Sequence, residues 1–202
     1  MTSPADMAIT RIGGRAFHLA GADVDTDRII PARYLRCVTF DGLEQHVFED
    51  DRAQLNGQHP FDLSENIGRS VLIVDANFGC GSSREHAVAA IQRWGIKVII
   101  GQSFAEIFRG NATANGLVCV DVSEQDHARI LHELGKKDSG VIIYLDTLRA
   151  ELKRSAESMA ITMPFADRDM LVGGTYDTTA TLLQAGDQIE ETASRLPYMV
   201  TD

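Results

Sequence analysis

The densest set of reactive and ligand-binding side chains in the sequence is Asn77-Phe78-Gly79-Cys80-Gly81-Ser82-Ser83-Arg84-Glu85-His86. Gly79 and Gly81 lack a Cβ, so the backbone there can turn sharply and come close to a ligand. An apolar run precedes the stretch and a helical pattern follows it. Backbone N–H groups at such a helix start favour an anion. Ser82 and Ser83 add two hydroxyls, and Arg84 adds a planar fork suited to a carboxylate or phosphate. The chemistry implied is an anionic ligand with a hydroxyl held against it. Three better-known motifs do not fit. A Walker loop lacks its lysine here, a dinucleotide fingerprint lacks a third glycine where Arg84 stands, and Arg84-Glu85 after Ser83 breaks Gly-x-Ser-x-Gly. Spacing alone leaves two readings, an anion-binding turn and a purely structural capped helix start, and favours the first.

Other candidate chemistry is thinner. Asp23, Asp25 and Asp27 resemble a calcium loop only superficially, since the required glycine and distal glutamate are missing. A solvated acidic turn is the plain reading for Asp23. His18, His46, His59, His127 and His132 show no metal-ligand spacing and are expected at the surface or in packing. His86, on the motif helix, is expected to make a structural hydrogen bond. Cys37, Cys80 and Cys119 are too few and too widely spaced for a cluster motif or a disulfide framework. The run Glu49-Asp50-Asp51 reads as solvated surface.

The elements that must position the turn follow from periodicity. Before Ser70, residues 15–20 read as a strand and 21–27 as an acidic turn. Residues 28–35 read as an extended piece passing into a helical turn, because Pro31 is unsuited to a central strand. Residues 50–66 are polar and read as a surface excursion. From Ser70 onward strands and helices alternate. Val71-Leu72-Ile73-Val74 is a buried parallel strand by its continuous apolar character. Ala87, Ala90, Ile91 and Trp94 form one helical face, ended by Gly95. Residues 97–100, 117–122 and 141–145 predict further strands. Phe104, Ile107 and Phe108 predict a second helical face with Ser103 as N-cap, and Ser123 with Asp126 predicts a capping box before a third helix. A strand over 160–163 and helices from Asp167 and Thr178 complete the pattern. The expectation is one α/β domain over residues 1–202, with no linker.

Composition bounds the function. The chain has 202 residues, 44% hydrophobic and 24% charged, as a soluble globular protein has. Nineteen Lys and Arg against 29 Asp and Glu give a net charge of −10, which disfavours nucleic acid and anionic membrane surfaces as partners. No apolar stretch is long enough to span a bilayer, and the opening residues lack a secretory pattern. A reduced, cytoplasmic protein is expected.

The string NFGCGSSREHA (77–87), with DVDTDRIIPARYL (23–35), RWGIKVIIGQSFAEIFRGNA (93–112) and GLVCVDV (116–122), resembles the family of 3-isopropylmalate dehydratase small subunits. That family corresponds to the swivelling last domain of aconitase. The resemblance covers nearly the whole chain. It implies a swivelling β/β/α domain with a mostly parallel sheet flanked by helices. It also implies a hydro-lyase of leucine biosynthesis that works only with a large subunit, which carries a [4Fe–4S] cluster on three cysteines; none is bound by this chain. By the same resemblance Ser82 is the base, and Asp27, Ser83 and Arg84 contact substrate. The segment after Tyr34-Leu35, here Arg36-Cys37-Val38, faces the substrate's variable group. Arg36 would pair with the extra carboxylate of a homoaconitate-type substrate, whereas Val38 or Cys37 would suit an isopropyl group. Homoaconitate and methylmalate (citramalate) dehydratases are the rivals within the superfamily. A non-catalytic anion-binding module is the rival outside it, one that leaves the 25–27 turn without a reason. Residues 37–45 and 173–177 depart from the family's common pattern, which bears on the substrate rather than the fold.

Overall fold

The computed structural model describes residues 4–179 except 38, 83, 135, 137 and 138, together with 192 and 194–196. A short helix, α1 (Pro4–Met7), leads into the long strand β1 (Arg11–Leu19). Then come α2 (Thr26–Ile29), two 3-10 turns (Ala32–Arg36 and Leu43–His46), α3 (Glu49–Gln54) and a third 3-10 turn (Ser64–Asn66). The alternating part is β2 (Val71–Val74), α4 (Glu85–Trp94), β3 (Val98–Gly101), α5 (Glu106–Ala114), β4 (Val118–Asp121) and α6 (Glu124–Leu134). Three strands and a helix follow: β5 (Gly140–Tyr144), β6 (Arg149–Leu152), β7 (Ser158–Ala160) and α7 (Phe165–Gly173). The helix expected from Thr178 lies largely outside the described residues.

The seven strands make one sheet in the order β4-β3-β2-β1-β5-β6-β7. Its α/β layering is the expected one, but the parallel pairing is confined to one half. β1–β2, β2–β3 and β3–β4 are parallel, whereas β1–β5, β5–β6 and β6–β7 are antiparallel. The sheet is therefore mixed rather than mostly parallel. β1 joins the halves by dividing its length, residues 11–15 pairing with β5 and 16–19 with β2. Midway along the β5-paired segment a Cβ on Gly13 would overlap the Val141 carbonyl across the strand pair.

Alternate residues of the central strands feed two cores, as the pleat requires. Leu72, Val74 and Ile99 pack under α4 and α5, while Val71, Ile73, Val98 and Ile100 pack on the other face with Ile130 and Leu171. The predicted face of α4 is buried at Ala87, Ala90 and Ile91. Gly95 ends that helix with φ of 117°, a left-handed conformation suited to glycine. Ser123 accepts from the Asp126 N–H at 3.1 Å and its hydroxyl donates to the Asp126 carboxylate at 2.8 Å, so it caps α6 without the return bond to its own N–H that a full capping box has.

Residues 50–66 are more than a surface excursion. Phe61 is buried against Phe17, Phe48 and Trp94, and His59 and Asn66 are buried with it. The acidic run 49–51 is a clamp: Arg33 holds Glu49 and Asp50, and Arg28 holds Asp51 at 2.8 Å. Ser103 does not cap α5, whose N-cap is Ala105, and Ile107 is 57% exposed rather than packed. Among the described residues no helix is long and apolar enough to cross a membrane.

Candidate active site

The site grows from the carboxyl ends of the two strands that pair in parallel at the centre of the sheet. β1 runs out into residues 20–27 and β2 into 75–84, and the two loops are laced together. Asp23 N–H donates to the Ala76 carbonyl at 2.9 Å, Gly79 N–H to Val24 at 2.8 Å, and Thr26 N–H to Cys80 at 2.9 Å. Asp23 is therefore not a free solvated acid, since its carboxylate also accepts from the Asn77 amide at 2.7 Å.

Asp25 is the N-cap of α2, and its carboxylate accepts from the Asp27 N–H at 2.7 Å. The cap residue satisfies a helix-end donor in the usual way. The same carboxylate packs against Gly81, where φ is 92° and any Cβ would overlap it. Gly79, with φ of 78°, gives way likewise to the Phe108 ring. The two glycines thus serve the close approach expected of them, toward this chain's own side chains.

Thr26 was not singled out from sequence, yet it holds the turn most directly. It is buried, and its hydroxyl donates to the Ser82 carbonyl at 3.0 Å. Its place between Asp25 and Asp27 was the available signal. Ser82 itself is exposed. Ser83 lies outside the described residues.

Arg84 and Asp27 are brought together as a bidentate pair, Nη1 on Oδ1 and Nη2 on Oδ2 at 2.9 Å. The arginine side chain is 12% exposed and the aspartate 51%. The helix begins later than the sequence implies. Its N-cap is Arg84, in extended geometry, so Ser82 precedes the cap by two residues and Glu85 occupies the first turn. The helix dipole then acts on Ser82 from a distance.

Arg36 is not part of this group. It ends the 3-10 turn, exposed, with no ion pair among the described residues. Nearby, Tyr34 stacks on His46 with ring centroids 4.0 Å apart. His86 meets Phe40 edge-on at 5.0 Å, and among the described residues this aromatic contact stands where a hydrogen bond was expected. Cys37 is exposed, Cys80 half-buried in the turn and Cys119 buried on β4.

The comparisons with known proteins bear on this arrangement. Residues 9–125 match the family model described as the aconitase C-terminal domain. A 3-isopropylmalate dehydratase small subunit from Synechocystis is 49% identical over 193 residues, covering 95% of each chain. The chain belongs to the 3-isopropylmalate dehydratase small-subunit family. A Thermus thermophilus member of this family is 41% identical over 192 residues, covering 94% of this chain and 95% of that one. A crystal structure of 3-isopropylmalate dehydratase from Methanocaldococcus jannaschii superposes with a TM-score of 0.63 at 31% identity. It covers 88% of this chain and 99% of that one. A cleft of about 730 Å³ lies between α5 and α7, lined by Phe104, Arg109, Asp121, Met163 and Asp167. It contains none of Ser82, Arg84 or Asp27.

Proposed function

We propose that this chain is the small subunit of a two-subunit 3-isopropylmalate dehydratase, a hydro-lyase of leucine biosynthesis, and that it supplies the base and one carboxylate clamp. The observation that carries the reading is the sheltered Arg84–Asp27 pair beside the exposed Ser82. Arg84 commits two of its five N–H donors to Asp27, leaving three for a substrate carboxylate. Asp27 fixes the guanidinium in one orientation, so less freedom is lost when the substrate arrives.

The chemistry divides between two chains for a reason of charge. A 2-isopropylmalate has two carboxylates and a hydroxyl, whereas among the described loop residues Arg84 stands with Asp23, Asp25, Asp27 and Glu85, and the neighbouring Arg28 is already committed to Asp51 at 2.8 Å. One carboxylate sits on Arg84, and the other groups fall to the partner. In this reading the large subunit carries the [4Fe–4S] cluster, which when bound supplies a Lewis acid for the departing hydroxyl. No residue of this chain is assigned to hold it.

Ser82 takes the proton from the carbon next to the bound carboxylate, and returns it when water adds in the other orientation. A serine hydroxyl is a weak base, and Arg84 is the group that stabilises its ionised form. Thr26 holds the Ser82 backbone, keeping the hydroxyl in register with the clamp. Ser83 is proposed as a further substrate contact. Arg36 is exposed, with no ion pair among the described residues; the preference for isopropylmalate over homoaconitate rests on this long side chain lying in solvent, its common state, rather than against the substrate's variable group. The test is reconstitution. The chain alone should show no turnover, and activity should appear on anaerobic mixing with a cluster-loaded large subunit. Isopropylmalate should give a higher kcat/KM than citramalate or homoaconitate. Turnover by the isolated, iron-free chain would end the two-subunit reading, and a preference for homoaconitate would end the substrate assignment alone.

A further inference from the structure

At the carboxyl ends of β1 and β2, three side chains converge that are far apart in sequence. His18 Nε2 lies 3.0 Å from Asp75 Oδ1, and His127 Nε2 lies 3.5 Å from the same oxygen. His127 Nε2 is also 2.9 Å from the Val74 carbonyl. One ligand atom from each of the three residues falls within 4.8 Å of the others. His127 is 4% exposed, whereas the side chains of His18 and Asp75 are 25% and 24% exposed, so the group opens to solvent on one side.

We propose that His18, Asp75 and His127 form a divalent-cation site of the zinc class, with the Val74 carbonyl oxygen as a fourth ligand within reach. Ligand atoms about 2.0–2.2 Å from a zinc ion stand about 3–3.5 Å from one another; the separations from Asp75 and from the Val74 carbonyl fall in or just below that range, and the two imidazoles lie within 4.8 Å of each other. The donor chemistry narrows the ion. Two imidazoles argue against magnesium and calcium, which take oxygen, and the lack of a thiolate argues against a soft ion such as Cu(I). Asp75 is held from behind, since its other carboxylate oxygen accepts from the Gly21 N–H at 2.6 Å. Metal ligands are commonly oriented by such outer contacts.

Without an ion the same residues make a hydrogen-bonded tie. His18 Nε2–H then donates to Asp75, and His127 Nε2–H to the Val74 carbonyl. Binding the ion moves each imidazole proton to Nδ1 and turns the Nε2 lone pair to the metal, with no net proton released. The site joins the ends of β1 and β2 to α6, directly behind the loops that carry Asp27 and Ser82. Its role is to fasten those loops, and it takes no part in the proton transfer.

The experiment uses the tag-free chain, with zinc followed by calorimetry and cobalt by absorption. One ion per chain should bind, with visible cobalt bands of nitrogen and oxygen ligation, no thiolate charge-transfer band, and a raised Tm. His18→Gln and His127→Gln should each remove that binding, while His132→Gln, outside the group, should retain it. If either variant folds poorly, imidazole ¹⁵N shifts of the wild type read the site directly, because two Nε2 atoms should move on zinc addition. A chain that takes up no zinc saturably, binding that survives His18→Gln, or a thiolate band that puts the ion on Cys80 would each overturn the site.

Discussion

The two halves of the sheet use the same kind of residue to different ends. The parallel half adds the short apolar strands β2, β3 and β4 to the end of β1, and its connections cross over through helices. Each crossover leaves a loop at a strand's carboxyl end, where open α/β sheets place their ligands. Asp27, Thr26, Ser82 and Arg84 all stand on such loops. The antiparallel half, β5 to β7, is joined by short turns and buries Val141, Ile143, Ala150, Leu152 and Met159 in the core shared with α6 and α7. It carries none of the proposed site residues. Strand direction, more than apolar content, decides which half has room for chemistry.

A pair of glycine substitutions separates the halves most sharply. Gly81→Ala forces a side chain against the Asp25 carboxylate at a positive φ, displacing Ser82 from Arg84. Misplacement of this kind can cost about 10²-fold in rate, so reconstituted kcat per folded molecule should fall by that order, beside the Tm lost to the strained positive φ. Gly13→Ala strains the backbone pairing of β1 with β5. Overpacking costs about 1–3 kcal/mol, so Tm should drop while kcat per folded molecule holds. A Gly13 variant that lost kcat while Gly81→Ala kept it would break the division between the halves.

Smaller effects refine the site half. Arg84→Lys keeps the charge but loses the fork. A hydrogen bond to a charged group contributes about 1.5–3 kcal/mol, so KM should rise about tenfold or more, measured on the reconstituted enzyme. Thr26→Val removes the bond to the Ser82 carbonyl, worth about 1 kcal/mol. A several-fold fall in kcat with KM nearly unchanged is expected, and Thr26→Ser should restore it. A Thr26→Val enzyme that lost only Tm would make the residue structural alone.

The division also explains what sequence could and could not reveal. The parallel half was legible where β2, β3 and β4 are apolar runs and α4 and α6 show a 3.6-residue stripe, ended at Gly95 or started at Ser123. β5 was legible as a strand but not as antiparallel, since an apolar run does not encode direction. β6, Arg-Ala-Glu-Leu, is too short and polar to stand out, although its alternate residues Ala150 and Leu152 are buried. Residues 50–66 hid Phe61 and His59 behind polar neighbours. In the site, residue types pointed to Ser82, Arg84 and Asp27. The Arg84–Asp27 pair, the Thr26 tie and the later helix start depend on how two loops meet, which local pattern does not record. The grouping of His18, Asp75 and His127 is of the same kind, formed from three separate elements.

The account rests on Ser82 as the base. The direct measurement is kcat of Ser82→Ala on isopropylmalate, in complex with the cluster-loaded large subunit, with subunit affinity measured alongside. Loss of a general base lowers the rate by about 10²–10⁴-fold, and that fall, at unchanged affinity for the partner, is the predicted result. A Ser82→Ala complex that forms normally and turns over near the wild-type rate would contradict it.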